Sequence, residues 1–308
     1  MLKYKLSFLS FLAILSFKIL KMFLKTKDLA KILGVSEATI KNWSREGLLK
    51  FHKTIGGHRR FPIEEIVKFI KDNKIIDLAG FSNADVNILT YIIFEDYEEL
   101  SKELLNYMLN KSQKEVENLL KIILFSFGVI KAFDLIISKS LFELGLLWEK
   151  GEISVDQEHI ASSKIIESII NLKNLFETKK KRKIKFVITS LEGDIHEIPL
   201  RIIDFILTYE GYNVIYVGAN TPYSDIIKTI EREKPKFLII SAVYIVDKRK
   251  FEKSIEILDK SCKEINCILF IGGPMYGKKP NLNKKIYTSY RELLKDIKKQ
   301  LYKRRKRK

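Results

Sequence analysis

The apolar residues of this 308-residue chain change their period once, and the change falls at a run of charge. Between residues 84 and 176 Pro is absent, Gly is rare, and Leu, Ile and Met recur at helical spacing: Leu104/Leu105/Met108, Leu119/Ile122/Ile123, Ile136/Ile137/Leu141/Leu144 and Ile165/Ile166/Ile169/Ile170. Four such stretches bury their apolar faces together as a four-helix bundle. Then comes Lys179–Lys185, six basic residues in seven, which reads as a linker. Beyond it, short β-branched runs (Ile184–Thr189, Val214–Val217, Phe237–Ser241, Cys267–Ile271) alternate with helical stretches near 199–209, 224–233 and 249–264. That alternation predicts a doubly wound, Rossmann-like parallel sheet with helices on both faces.

Ahead of the bundle, Thr26–Ile76 reads as short helices and turns. Thr26 is placed to N-cap a helix carrying Leu29, Ala30, Ile32 and Leu33, which Gly34 ends; Ser36 then caps Glu37–Glu46 before Gly47. Helix, tight Gly-containing turn and helix form the helix-turn-helix pattern. In Phe51–Phe61, Gly56-Gly57 separates two short runs, which predicts a two-stranded wing with His58, Arg59 and Arg60 at its tip; Pro62 suits the first turn of a third helix through Ile66, Phe69 and Ile70.

The chain divides into residues 1–21, 22–76, 77–178, 179–302 and 303–308. Residues 1–21 hold an apolar run, Leu6–Phe17, too short at 12 residues for a bilayer that needs about 20. It reads as an over-extended reading frame, with Met22 as an alternative start, or as a non-functional extension, with a membrane anchor as the alternative. Lys303–Lys308, six basic residues in a row, reads as a disordered tail. Two cysteines, Cys262 and Cys267, exclude a disulfide scaffold, lack the company a zinc site needs, and fit a reducing cytosol. The net charge of +18 is uneven: residues 1–76 carry 16 basic and 6 acidic side chains, 77–178 carry 9 and 17, and 179–308 carry 31 and 15. Basic ends around an acidic middle point to a polyanion as partner of at least one end.

In the segment Ser36–Leu49, Ile40 and Trp43 face inward and leave Thr39, Lys41, Asn42 and Arg45 for solvent or a DNA groove. With the cationic hairpin that follows, Thr26–Phe61 resembles the N-terminal module of MerR-family transcription regulators, through T-x-D-L-A-x-x-L-G-V-S-x-x-T-I-x-x-W-x-x-x-G-L-L and then G-G-H-R-R-F. The resemblance implies a dimeric winged-helix reader of double-stranded DNA, with Arg59 and Arg60 on backbone phosphates and His58 beside them.

Directly after the first predicted strand of the sheet stands Glu192-Gly193-Asp194-Ile195-His196-Glu197-Ile198-Pro199. Ligands of open α/β sheets bind at the carboxyl ends of strands. An Asp two residues before a His is placed to accept its second ring N–H and fix its tautomer, although a solvated loop histidine fits the residues as well. Asp194 and His196, with Ser241 and Gly272-Gly273 at later strand ends, resemble the cobalamin-binding domain of methionine synthases and corrinoid proteins, whose pattern is D-x-H-x-x-G, a strand-end Ser, then Gly-Gly. The resemblance implies that His196 is the lower axial cobalt ligand, that Asp194 supports it, and that Ser241, Gly272 and Gly273 line the slot for the dimethylbenzimidazole tail. Pro199 stands where that family has Gly, and Val243 where Thr or Leu often follows the Ser.

In the bundle, Trp148 is followed, after nine intervening residues, by Glu158-His159. Alone, this reads as core plus helix cap. The W-x9-E-H spacing also resembles the helical cap of MerR-type photoreceptors related to carotenoid-gene repressors, which implies that Trp148, Glu158 and His159 contact the 5′-deoxyadenosyl group of adenosylcobalamin. Those light sensors carry His directly after this Trp, and here it is Glu149. The expectation is a cytoplasmic, non-enzymatic, cobalamin-dependent transcription regulator that self-associates as a dimer or tetramer and meets no membrane. The alternatives are a corrinoid methyl-carrier protein and a MerR-like regulator whose α/β domain no longer binds cofactor.

Overall fold

The computed structural model describes residues 23–33, 35–62, 65, 66, 68, 69, 86–176, 178, 181–277 and 279–305. The expectations for residues 1–21, Gly34, Ile70, Lys179, Lys180 and residues 306–308 lie outside them. The chain forms two compact units, Met1–Leu100 and Ser101–Lys308.

The first unit opens with strand β1 (Phe23–Lys25), helix α1 (Thr26–Leu33) and helix α2 (Glu37–Arg45), followed by strands β2 (His52–Lys53) and β3 (Arg59–Pro62). The three strands form an antiparallel sheet in the order β1-β3-β2. Thr26 is therefore the first helical residue behind a strand rather than a free-standing cap, because Lys25 is held in the ladder opposite Arg60. Ser36 does cap α2: its Oγ accepts the N–H of Thr39 at 3.1 Å, satisfying one of the donors a helix start leaves open. Leu29, Ile40, Leu49, Phe61 and Ile66 form the core, and Trp43 packs on Phe69 with ring centroids 5.1 Å apart.

The wing differs from expectation at its tip. Arg59 and Arg60 lie inside β3, paired with Lys53 and His52, and the turn is made by Thr54–Gly57, where Gly57 takes a φ of +76°. Pro62 ends that strand instead of starting the next helix. Helix α3 (Val86–Ile93) completes the described part of this unit; α4 (Tyr97–Asn110) runs into the second.

The bundle of the second unit comprises α4, α5 (Gln113–Phe127), the run α6 (Val129–Ala132), a π-helical turn Phe133–Ile137 and α7 (Ser138–Glu149), and α8 (Val155–Phe176). Ser112 and Glu115 make a reciprocal capping box at the start of α5. Gly128, with φ +75°, allows the sharp turn into α6.

The α/β part follows as β4 (Lys185–Leu191), α9 (Ile198–Tyr209), β5 (Asn213–Thr221), α10 (Tyr223–Glu233), β6 (Phe237–Ser241), β7 (Tyr244–Ile245), α11 (Lys248–Glu264), β8 (Ile268–Gly272), β9 (Tyr276–Gly277), β10 (Ile286–Tyr287) and α12 (Tyr290–Arg305). Five parallel strands stand in the order β10-β8-β6-β4-β5. Alternate residues go to opposite faces. Val187, Leu238, Ile240, Leu269 and Ile271 meet Ile226 and Ile230 of α10 and Phe251, Ile255 and Leu258 of α11. On the other face the rings of Phe186, Phe237 and Phe270 stack along the sheet.

The bundle and the sheet are joined by more than the Lys179–Lys185 segment. Phe205 of α9 packs edge-on to Phe133 of the π turn and against Phe176 of α8. Lys173 of α8 donates to the buried carboxylate of Asp204 at 2.7 Å. Asp134 of the π turn accepts the N–H groups of Tyr290 and Arg291 and the hydroxyl of Ser289, so a bundle residue caps α12. The segment itself is partly bound: Arg182 lies over the Tyr212 ring and donates to Glu210 O, and Lys185 belongs to β4. Half of Lys303–Lys308 is helical, because α12 continues through Arg305.

Candidate DNA and cofactor sites

On α2, Lys41, Asn42 and Arg45 are exposed on one surface, and Arg45 donates to the Asn42 side chain. Thr39 is half-buried, with its hydroxyl 2.8 Å from Ser36 Oγ, so it serves the helix start. His58 is exposed beside the wing turn. Arg59 is half-buried with its guanidinium 5.0 Å above the Phe51 ring, and Arg60 is likewise half-buried. The surface has polar side chains on a helix next to cations on a hairpin, which suits base-edge reading flanked by phosphate contacts.

The second site lies at the carboxyl ends of β4, β6 and β8. There β4 ends and the chain turns through Glu192 and Gly193 (φ +96°), which brings Asp194 back under the strand ends. The Asp194 side chain is 6 % exposed and fully engaged: His196 Nδ1 donates to Oδ1 at 2.6 Å, the His196 N–H reaches the same oxygen, and the Val243 N–H donates to Oδ2 at 2.7 Å. The carboxylate thus fixes the His196 tautomer, with the proton on Nδ1. Nε2 makes no hydrogen bond among the described residues and belongs to a ring that is about half exposed.

Ser241 ends β6, 1 % exposed, and its Oγ has no hydrogen-bond partner among the described residues. An orphaned buried hydroxyl is costly in a finished interior, so it marks a place where a polar ligand group fits. Ser190, its neighbour on β4, is instead satisfied: it donates to Asp194 O and accepts the Asn220 N–H. The glycines have a second reason for being glycine. A Cβ on Gly273 would lie 2.1 Å from Ala242 O, and one on Gly272 would lie 3.2 Å from Tyr287 O, so neighbouring backbone fills the space a side chain would need. Pro199 falls in the first turn of α9, where its missing N–H costs no helical bond. Val243 contributes its main chain, so its side-chain type does not enter the contact with Asp194.

The residues expected to form a cap are brought together in part. Glu158 and His159 start α8 side by side, with His159 Nε2 3.8 Å from a Glu158 oxygen, and Glu158 also accepts the Ser162 hydroxyl. Trp148, half exposed near the end of α7, makes no ring contact among the described residues. Two turns earlier on α7, Phe142 stacks on Tyr276 of β9 at 6.5 Å, and burial followed by the Glu149 carboxylate raises the Tyr276 phenol above its ordinary pKa. The end of α7 therefore stands over the strand ends that carry the second site.

Several participants escaped the sequence reading. Tyr244 and Tyr276 sit in a small parallel ladder, β7 with β9, beyond the ends of β6 and β8, and both rings are exposed. Asn220, at φ +55°, closes the loop by accepting the Gly193 N–H. Its position one residue before the end of a strand, in a Gly-x-Asn context, was the available signal. Glu197 accepts from both Tyr216 and Arg201 at the start of α9, and burial together with that hydrogen bond raises the Tyr216 phenol.

These two sites define a class: a DNA-binding regulator that carries a cobalamin-binding domain. Residues 23–74 match the helix-turn-helix domain family and residues 184–290 match the B12 binding domain family. Over 73 % of its length the chain is 23 % identical to the HTH-type transcriptional repressor CarH of Myxococcus xanthus, spanning 81 % of that protein. It is 26 % identical to the methanol–corrinoid protein of Methanosarcina barkeri over 36 % of this chain and 43 % of that one. Among solved structures it resembles the Methanosarcina barkeri monomethylamine corrinoid protein with a TM-score of 0.54 at 17 % identity, covering 66 % of this chain and 99 % of the other. The fold of the bundle and sheet is that of a corrinoid protein, and the N-terminal unit adds a DNA module. Among the described residues no helix is long and apolar enough to cross a membrane.

Proposed function

We propose that this protein is a transcription regulator whose hold on DNA is set by adenosylcobalamin. The observation that carries the reading is the Asp194–His196 pair: a buried carboxylate tied to the Val243 main chain holds the imidazole by Nδ1 and leaves Nε2 available at the carboxyl ends of the strands. A nitrogen so held is a ready cobalt ligand, since a carboxylate on the second ring nitrogen fixes orientation and raises basicity. The orphaned hydroxyl of Ser241 supplies a buried polar contact for the cofactor's tail, with Gly272 and Gly273 beside it.

When bound, adenosylcobalamin supplies a cobalt centre and a light-sensitive cobalt–carbon bond. The chain's own part is to hold and cover. His196 would hold the cobalt through Nε2, and Trp148, Glu158 and His159, presented by α7 and the start of α8, would cover the adenosyl group. Lys41, Asn42 and Arg45 read an operator, and Arg59, Arg60 and His58 fix the module on phosphates. Thr39 orders the recognition helix rather than contacting bases, as its bond to Ser36 supports. The protein acts as a MerR-type dimer or larger oligomer in the cytoplasm and catalyses no reaction.

Incubation of the purified protein with adenosylcobalamin in the dark, desalting and an absorption spectrum test the binding. Retained cofactor with a nitrogen-ligated spectrum, together with a shift in DNA affinity on loading, supports the reading. Retention with no effect on DNA binding would favour a methyl-carrier role, and no retention would leave a DNA-binding protein with an idle α/β domain.

A further inference from the structure

We propose that the outer face of α12 is a second DNA-binding surface, a stripe of cations that takes duplex phosphates independently of the helix-turn-helix module. Residues 290–308 hold ten basic and two acidic side chains, and no acidic residue follows Asp296. Arg291, Lys295, Lys299 and Lys303 recur at every fourth position, so they share one side of the helix. The opposite side is occupied: Leu293, Leu294 and Ile297 are buried. An amphipathic helix whose apolar side is already buried has only charge to offer a partner, which suits a phosphate backbone and not the acyl region of a membrane.

The two acidic residues of the helix are engaged chiefly off the stripe, although Lys299 also acts on Asp296 at longer range. Asp296 is taken by Lys285 at 3.0 Å and by the Tyr287 hydroxyl at 2.8 Å, and Lys285 also lies 3.7 Å from Glu292. Lys298, off the stripe, pairs with Glu210 at 2.9 Å. Arg291, Lys295 and Lys299 are exposed and form no salt bridge among the described residues. Helix stability does not explain them either. Cations favour only the last turn of a helix, whereas Arg291 sits in the first turn, where the dipole disfavours it. Lysine-rich composition does not impose the pattern, because residues 77–178 of the same chain carry 17 acidic side chains against 9 basic ones.

Three exposed cations along one helix, with Lys303 next in the sequence repeat, meet a polyanion without reading its sequence, and each neutralised phosphate contributes to the salt dependence of binding. The test uses the full chain carrying Arg291→Gln, Lys295→Gln, Lys299→Gln and Lys303→Gln, with a second protein in which the three lysines become Arg. Binding to a random-sequence 40-base-pair duplex is measured across a salt series, with far-UV circular dichroism and cobalamin uptake as checks of the fold. The Gln protein is expected to show a slope of log K against log salt shallower by about 2–4, at about 0.9 for each phosphate no longer neutralised, and the Arg protein is expected to keep the wild-type slope. Parallel measurements on Arg60→Ala, whose effect belongs to the wing, separate this surface from the N-terminal module. An unchanged slope in the Gln protein overturns the proposal. So does a loss confined to phosphatidylserine vesicles, which would assign the stripe to a membrane surface.

Discussion

The N–H of Val243 donates to Oδ2 of Asp194 at 2.7 Å, across 49 residues of sequence. The bond ties the loop after β4 to the loop after β6, and it occupies the one carboxylate oxygen that His196 does not use. An acidic side chain with both oxygens committed has a single orientation, and so has the imidazole it holds. Preorganisation of that kind is what a metal-binding nitrogen needs from its surroundings.

Replacing Asp194 by Asn should therefore weaken cofactor binding even though size is conserved. The amide must turn its NH2 toward either Val243 N–H or His196 Nδ1, and one of the two hydrogen bonds becomes a clash of donors. A loss of about 10–100-fold in affinity is expected, the usual effect of removing a partner of a metal-bound His. Cobalamin titration followed by absorption measures it. His196→Ala should go further, losing the nitrogen-ligated spectrum altogether; a wild-type spectrum in that variant would place the lower ligand elsewhere.

Gly273→Ala tests the sheet rather than the ligand. At φ +131° and with Ala242 O 2.1 Å from the new Cβ, two loops must separate to admit one methyl group. The backbone conformation alone accounts for about 1–3 kcal/mol, and the steric clash adds to it. A lower midpoint of thermal unfolding in the absence of cofactor is the expected outcome. Loss of cobalamin binding at unchanged stability would instead mean that the glycine serves the cofactor.

For the DNA module, two variants should behave differently. Arg59→Ala with Arg60→Ala is expected to weaken binding to operator and unrelated duplex alike, since phosphate contacts carry no sequence information. Asn42→Ala with Arg45→Ala should reduce discrimination by about 1–3 kcal/mol for each base no longer read, while leaving much of the non-specific binding. Gel-shift titrations on matched and scrambled duplexes distinguish them. Arg59 also packs on Phe51, so a thermal melt of its variant accompanies the measurement.

Light should act at the edge of the cap and not by parting the bundle from the sheet. Lys173–Asp204, Phe133–Phe205 and Asp134–Tyr290 hold the two together without any cofactor contact. Green illumination of the adenosylcobalamin-loaded protein is expected to change its elution on size exclusion and its DNA affinity together, while far-UV circular dichroism stays constant. Glu149, where the light sensors that the W-x9-E-H spacing resembles carry His, should leave cobalt less firmly held after illumination. Identical elution and identical DNA binding in dark and light would remove the photoswitch.

The sequence determined by itself most of what depends on near neighbours. The strands and helices of the sheet lie within a few residues of the β-branched and helical runs, because their period is a local property. Ser36 caps α2, and Asp194 reaches His196, because both pairs lie within three residues. The tertiary structure decided whatever depends on distant segments meeting. Arg60 lies in mid-sheet because Lys25 of β1, far earlier in the chain, pairs with it on the side away from His52, whereas Arg59 is held by Lys53 across the hairpin. The partner of Asp194 Oδ2 is a main-chain N–H, which carries no side-chain signature. Asp134 caps a helix 156 residues away, and Phe142 finds Tyr276 only because α7 lies over the strand ends. Side-chain chemistry is written locally along a chain, whereas main-chain donors and packing partners are assigned only when the chain closes on itself.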